Sequence, residues 1–109
     1  MATIKLWLDD LLDDPESPER HTPAGWTGAK TALEACRLIK TGAVTHVSFD
    51  HDLGPAWAGS GYTVARFIEK LAFEGLIPQL TWDIHSANPV GAHNIRQAML
   101  SADKFFAKE

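Results

Sequence analysis

The sequence has little cysteine, no cluster of basic residues and no long apolar run. Its single cysteine, Cys36, cannot form a disulfide within the chain, which is typical of a reducing cytoplasm. A net charge of −4 without any Lys/Arg cluster argues against binding along a nucleic-acid tract, because such binding neutralises many phosphates. No apolar run approaches the roughly 20 residues that cross a bilayer, and residues 1–5 lack a signal peptide's apolar core. We therefore expect a cytoplasmic protein with no membrane partner.

Length and composition indicate a single domain. With 109 residues, of which 45% are hydrophobic and 22% charged, the chain can form one hydrophobic core but not two. We therefore assign residues 1–109 to one domain. Cys36 lies at helical spacing among Ala32, Ala35 and Ile39, so we interpret it as a small core residue and not as a nucleophile.

Apolar runs alternate with amphipathic segments along the chain. Strands are predicted at residues 4–8, 44–50 and 79–84, with a weaker edge strand at 25–30, and helices at 31–41, at 61–74 and from 89 onward. This order predicts an α/β fold: a small three-layer sandwich around a mainly parallel sheet of four or five strands, with helices on either side. The final Phe105-Phe106 pair either completes the core or covers a partner in a homodimer.

The segment after the first strand is predicted to be a loop. Residues 11–25 contain Pro15, Pro18 and Pro23, and proline at this spacing prevents a helix. We interpret the charged side chains of this loop as a solvated surface and expect His21 to lie there too.

Polar residues follow three of the predicted strands. Because the carboxyl ends of parallel strands meet at one edge of a sheet, we expect these residues to lie together and to form a functional site. The alternative for each aspartate alone is a cap or turn. The residues are Asp9 and Asp10 after the first strand, Asp50, His51 and Asp52 after the central strand, and His85 and Ser86 after the last strand.

The adjacent carboxylates of Asp9 and Asp10 need compensation. At about 4 Å and an effective dielectric near 20, their repulsion is on the order of 4 kcal/mol. A divalent cation relieves it, so we predict Mg²⁺ or Mn²⁺ held by Asp9, Asp10 and Asp50, with Asp52 in or near the shell. His51 and His85, beside the catalytic Asp50, are predicted to act as base and acid near neutral pH.

The last predicted helix begins with an anion-binding pattern. Asn88 is the expected N-cap and Pro89 the first helical residue. The N–H groups of Val90, Gly91 and Ala92 are then expected to be free for a phosphate, together with Ser86. His93 either assists there or lies on the surface, and His46, inside the central strand, is expected to be structural.

Trp57 lies in a glycine-rich loop directly after the central acidic cluster. It either stacks on a base or closes over the pocket, or it folds back onto the edge of the sheet.

At these positions the chain resembles two related families. Paired acids after the first strand, an aspartate after a central strand and a hydroxyl residue after a later one resemble a response-regulator receiver domain of flavodoxin-like fold. The chain is more similar to an offshoot of that family, the cyclic-phosphate-processing receiver-like domains. The matching motifs are Leu6-Trp7-Leu8-Asp9-Asp10, Ser48-Phe49-Asp50-His51-Asp52-Leu53-Gly54, and His85-Ser86-Ala87-Asn88-Pro89-Val90-Gly91 with Asn94.

The resemblance implies a function. It implies magnesium bound by the acidic residues and phosphate bound by Ser86, Asn88, Val90, Gly91 and Asn94, in RNA repair or nucleotide processing. The chain departs from ordinary receivers because no fifth strand ending in lysine follows; Lys104 and Lys108 lie in the predicted helical tail. In receivers that lysine contacts the phosphoryl group, so phosphorelay signalling is disfavoured.

Three functions follow as hypotheses. The first is a metal-assisted phosphoesterase that acts on a cyclic phosphate, either an RNA 2′,3′-cyclic end or a small cyclic nucleotide. The second is a non-catalytic module that binds a nucleotide, a phosphate ligand or a protein partner. The third, a phosphoacceptor receiver, requires the missing lysine. The two histidines discriminate between the first two, because binding alone needs no acid and base.

Overall fold

The computed structural model describes residues 3–107 of the chain. Within that range the chain forms an α/β fold with a four-stranded sheet and three α-helices. The elements are β1 Ile4–Leu8, β2 Thr27–Ala29, α1 Ala32–Lys40, β3 Val44–Phe49, α2 Gly61–Glu74, β4 Thr81–Ile84 and α3 Pro89–Ala107. Short 3-10 helices, Pro18–Arg20 and Ala56–Ala58, lie in two of the loops.

Capping residues fix where the helices begin. The Thr31 hydroxyl accepts a hydrogen bond from the Glu34 amide at 3.2 Å, so Thr31 caps the helix predicted from residue 31 and α1 begins at Ala32. Ser60 does the same for the Thr63 amide at the start of α2. The Asn88 side chain accepts from the Gly91 amide at 3.0 Å, which confirms Asn88 as the cap of α3.

The sheet is parallel throughout, in the order β2-β1-β3-β4. The predicted weak edge strand is β2. The connections from β2 to β3 and from β3 to β4 cross the sheet in one direction, so right-handed crossovers place α1 and α2 on one face. The connection from β1 to β2 runs the opposite way, which places segment 9–26 on the other face.

The second face of the sheet differs from the predicted layer of helices. Within the described residues, segment 9–26 forms only the 3-10 helix there, because its prolines prevent an α-helix. Trp26 packs edge-on against Trp7, with ring centroids 5.9 Å apart, and against His46 at 5.4 Å. Lys5 on this face is exposed. The predicted α/β fold with a mainly parallel sheet is confirmed, and on this face a loop takes the place of the expected helices.

The hydrophobic core lies between the helices and the face of the sheet that they cover. Residues of β1 and β3 pack there against α2 and α3, and Phe106, 5% exposed, completes this core. Cys36 is half-buried against the core, and burial raises the pKa of its thiol, which agrees with a packing role. His46 donates or accepts a hydrogen bond with Thr81 at 2.6 Å, as expected for a structural residue. Within residues 3–107, every helix is too short or too polar to cross a membrane. Lys104 lies in α3, and Lys108 lies outside the described residues.

Candidate functional site

The sheet brings three strand ends together. The Asp50 amide donates to the carbonyl of Leu8 at 3.0 Å, and the His85 amide donates to that of Phe49 at 2.9 Å. The ends of β1, β3 and β4 therefore lie side by side at one edge, as the parallel arrangement predicts.

An acidic group lies at this edge. Asp9, Asp10 and Asp50 each offer a carboxylate oxygen, and these oxygens lie within 4.8 Å of one another. Asp9 is fully buried and Asp50 is 3% exposed. Carboxylate oxygens are the ligands that Mg²⁺ and Mn²⁺ prefer in proteins, so this group fits such an ion.

Arg20 contacts all three carboxylates. Its Nε is 2.5 Å from Asp9 Oδ2, and its Nη2 is 2.5 Å from Asp50 Oδ2 and 3.5 Å from Asp10 Oδ1. The hydrogen bond to Asp9 raises the pKa of Arg20, which is charged in any case. The acidic group keeps two negative charges in excess when its three carboxylates are ionised, so a divalent cation is still favoured electrostatically.

The position of Arg20 differs from the expectation that the charged side chains of the proline-rich loop form a solvated surface. The guanidinium instead turns inward, and the Arg20 carbonyl accepts a hydrogen bond from the Trp7 indole at 2.9 Å. A signal was present: Arg20 is the only lysine or arginine between residues 5 and 30, in the segment that follows Asp9 and Asp10. His21 is exposed, as expected.

Burial dominates the ionisation of Asp50. It raises the pKa of this carboxyl to about 6, while the nearby Arg20 charge acts in the opposite direction and the charges of Asp9 and Asp10 add to the rise. Asp50 therefore changes its charge close to neutral pH.

His85 is held from three sides. Its Nε2 is 3.0 Å from Asp9 Oδ2, and its Nδ1 is 2.8 Å from the Ser48 hydroxyl. Because a carboxylate can only accept, Nε2–H donates to Asp9 and Nδ1 of the neutral ring accepts from Ser48. Trp7 stacks on the ring, with centroids 3.9 Å apart and planes 3° from parallel. Burial lowers the pKa of His85 despite the hydrogen bond to Asp9. We call His85, Arg20 and the three carboxylates the buried cluster.

His51 belongs to a second group of side chains. Its Nδ1 is 3.1 Å from Asp52 Oδ1, and the side-chain amide of Asn88 donates to Asp52 Oδ2 at 3.4 Å. We call His51, Asp52 and Asn88 the outer cluster. Gly91 lies against this histidine: a Cβ at Gly91 would overlap the His51 ring. The missing side chain of Gly91 thus makes room for the His51 ring. Asp52, which was a predicted metal ligand, pairs with His51, and its side chain is 69% exposed.

The start of α3 offers fewer free N–H groups than predicted. The Gly91 amide donates to the Asn88 side chain, and the Ala92 amide donates to the Asn88 carbonyl at 2.9 Å. The expectation that these two amides are free is therefore wrong, because the N-cap satisfies them. The Ser86 hydroxyl accepts from the Asn88 amide at 3.1 Å. At this helix end, the Val90 amide is the one predicted phosphate donor with no hydrogen bond in the described part of the chain.

Three further predicted residues lie on the surface. His93 is exposed, and Asn94 lines a groove between α2 and α3 with Tyr62 and Arg66. Trp57 is 80% exposed, so it does not fold back onto the sheet.

Comparison with known proteins identifies the family. The model of one family, described as the cyclic-phosphate processing Receiver domain, matches residues 4–101, which include every strand and both clusters. No curated protein and no solved structure matches the chain. The match extends over most of the 109 residues. The chain therefore belongs to the family of cyclic-phosphate processing receiver domains.

Proposed function

We propose that the protein hydrolyses a cyclic phosphate with the help of Mg²⁺ or Mn²⁺, on an RNA 2′,3′-cyclic end or a small cyclic nucleotide. The observation that supports the proposal is the group of three carboxylates at the sheet edge, in a chain whose family is described as cyclic-phosphate processing. Such an activity suits RNA repair or nucleotide processing.

Asp9, Asp10 and Asp50 would hold the metal ion. When bound, the ion supplies positive charge that stabilises the negative phosphate oxygens during ring opening. Arg20 places one positive charge against the carboxylate oxygens of Asp9 and Asp50. We therefore propose that Arg20 adds positive charge beside the ion, without replacing the lysine by which receivers hold a phosphoryl group.

Ring opening requires one proton to move from water. The water oxygen bonds to phosphorus, one phosphorus–oxygen bond of the ring breaks, and the departing oxygen receives the proton that left the water, so no net proton is consumed. We assign the removal of the water proton to His51. Nδ1–H of His51 donates to Asp52, which leaves Nε2 of the neutral ring with a lone pair, and Asp52 stabilises the charged ring that forms.

His85 has a different set of contacts. Its Nε2–H donates to Asp9, so the proposed role of His85 is to hold this carboxylate in place. The acid-base pair of His51 and His85 stays a prediction: it requires that the hydrogen bond to Asp9 break during the reaction.

The test is turnover of a panel of cyclic phosphates followed by ³¹P NMR, with Mg²⁺ or Mn²⁺ and with a chelator. We expect a phosphate monoester to form only with metal, and Asp50→Asn to abolish it. The matched control is Glu74→Gln, because Glu74 is an exposed acid at the end of α2 and belongs to neither cluster. Ligand binding without turnover across the panel would replace the enzyme by the binding module.

A further inference from the structure

We propose that a cleft beside the acidic group binds the aromatic base of a nucleotide, and that the base stacks on Trp57. The inference rests on the proposed function, because it gives a place to the part of the same substrate that does not react. The cleft has a volume of about 400 Å³, and its walls include Asp10, Lys30, Glu34, Leu53, Pro55 and Trp57.

The exposure of Trp57 is the first observation. The ring is 80% exposed, whereas Trp7, Trp26 and Trp82 are half-buried. A large apolar ring at the rim of a cleft gains from being covered. Every nucleobase has an aromatic face that can cover it, so stacking suits substrates with different bases.

The second observation is that the Trp57 loop is held in place. The 3-10 helix Ala56–Ala58 is closed by hydrogen bonds from the Ala58 amide to Pro55 and from the Gly59 amide to Ala56. Gly59 has φ 76°, and a Cβ there would overlap Ala32 of α1. The loop therefore packs directly on the helix, and its backbone needs little ordering when a base binds.

The position of Asp10 connects the cleft with the acidic group. Asp10 lines the cleft, and its Oδ1 is 3.5 Å from the Arg20 guanidinium of the buried cluster. A base in the cleft thus places its phosphate toward that cluster.

Two charged residues that line the cleft can contact the edge of a base. Lys30 offers donors and Glu34 offers acceptors, the two kinds of group that base edges require. Lys30 pairs with the exposed Asp13 at 3.2 Å, and such a surface pair is weak and easily exchanged for a ligand.

The experiment compares two stable ligands by isothermal titration calorimetry. Adenosine 3′-monophosphate carries a base, and glycerol phosphate does not; neither is a cyclic substrate, so turnover does not interfere. We expect Trp57→Ala to weaken adenosine 3′-monophosphate binding about 5- to 150-fold, the range of a lost base stack. Glycerol phosphate binding should be unchanged, and Trp57→Phe should retain most of the affinity.

Phe73→Ala is the matched control, because Phe73 is also an exposed aromatic residue but lines a different groove, on α2. It should bind both ligands as the wild type does. Equal affinity of the wild type for the two ligands, or an unchanged affinity in Trp57→Ala, would overturn the inference. A protein that selects the adenosine ligand through Trp57 but opens no cyclic phosphate supports this cleft and overturns the proposed function, so the two can fail separately.

Discussion

The two histidines at the sheet edge differ in their partners and not in their exposure. The side chains of His85 and His51 are 18% and 23% exposed. Both ring nitrogens of His85 are engaged, by Asp9 and Ser48, whereas His51 uses only Nδ1 among the described residues. A ring held at both nitrogens fixes its neighbours, and a ring with one uncommitted nitrogen can exchange a proton with a substrate. Two histidines at strand ends can therefore have different tasks.

The largest expected effect is on kcat, and alanine substitution of each histidine should change it in a different combination with stability and metal affinity. His51→Ala should lower kcat by about 10²- to 10⁴-fold, the usual contribution of a positioned base, with little change in melting temperature or metal affinity. His85→Ala should lower turnover together with metal affinity and melting temperature, because Asp9 loses its buried donor. Steady-state kinetics, thermal melts and Mn²⁺ titration measure these quantities.

The pH-rate profile sharpens this comparison. If His51 alone moves the proton, His51→Ala changes the shape of the pH-rate profile and His85→Ala leaves it unchanged. Loss of one limb of the profile in His85→Ala, with stability and metal affinity intact, would instead establish the acid-base pair.

The next effect concerns stability and pH in the buried cluster. The pKa of Asp50 is about 6 in the folded chain against an ordinary 3.8, so its contribution to stability is full below pH 3.8 and is lost as pH rises through 6. The difference corresponds to about 3 kcal/mol. The lowered pKa of His85 acts with the opposite sign, since its contribution is lost as pH falls below the ordinary 6.5. The measurement is therefore the difference between wild type and Asp50→Asn, by denaturant unfolding in EDTA from pH 4 to 8. The free energy of unfolding of the variant should increase relative to that of the wild type as pH rises. A difference that stays constant with pH would contradict the raised pKa.

Metal binding should stabilise the buried cluster and not the outer one. At 100 times its dissociation constant, a ligand raises the free energy of unfolding by about 2.7 kcal/mol. Thermal melts should shift upward with Mg²⁺ or Mn²⁺, and Asp50→Asn should abolish the shift. Asp52→Asn, in the outer cluster, should keep it; loss of the shift there would place Asp52 in the metal shell.

Removing Arg20 should affect stability and metal affinity in opposite directions. Without metal, Arg20→Met should destabilise the chain by about 2 kcal/mol, because buried carboxylates lose their donor. Its affinity for Mn²⁺ should rise, because the guanidinium contacts the same Asp9 and Asp50 oxygens that the ion needs. Arg66→Met is the control, since Arg66 is exposed and pairs with Glu69 and Tyr62, outside both clusters. Weaker Mn²⁺ binding in Arg20→Met would mean that the arginine and the ion bind together.

The smallest expected effect is on covalent modification. Incubation with a small phosphodonor and Mg²⁺ should leave no lasting phosphoryl group on Asp50, because no fifth strand with a lysine follows α3 within residues 3–107. Intact-mass measurement tests this, and a lasting gain that disappears in Asp50→Asn would support an ordinary receiver.

Local signals in the sequence predicted the elements and the edge where the site lies. The cap Asn88, the apolar strands and the acids after them act over a few residues, so their positions can be predicted without knowing the fold. Long-range contacts could not be predicted in this way. The path of segment 9–26 places Arg20 among the carboxylates, and the contact between Gly91 and the His51 ring joins residues far apart in the chain. No periodicity encodes either contact.

The construction of segment 9–26 has a consequence for local unfolding. The amides of residues 14, 17, 20 and 21 donate to carbonyls three residues earlier, so these hydrogen bonds do not depend on the sheet. Arg20 ties the segment to the sheet through its ion pairs and through the Trp7 indole. This segment can therefore open as a separate cooperative unit while β3 stays protected. Its hydrogen-exchange rates should follow the charge of the acidic group, so backbone exchange in a loop becomes a readout of the state of the site.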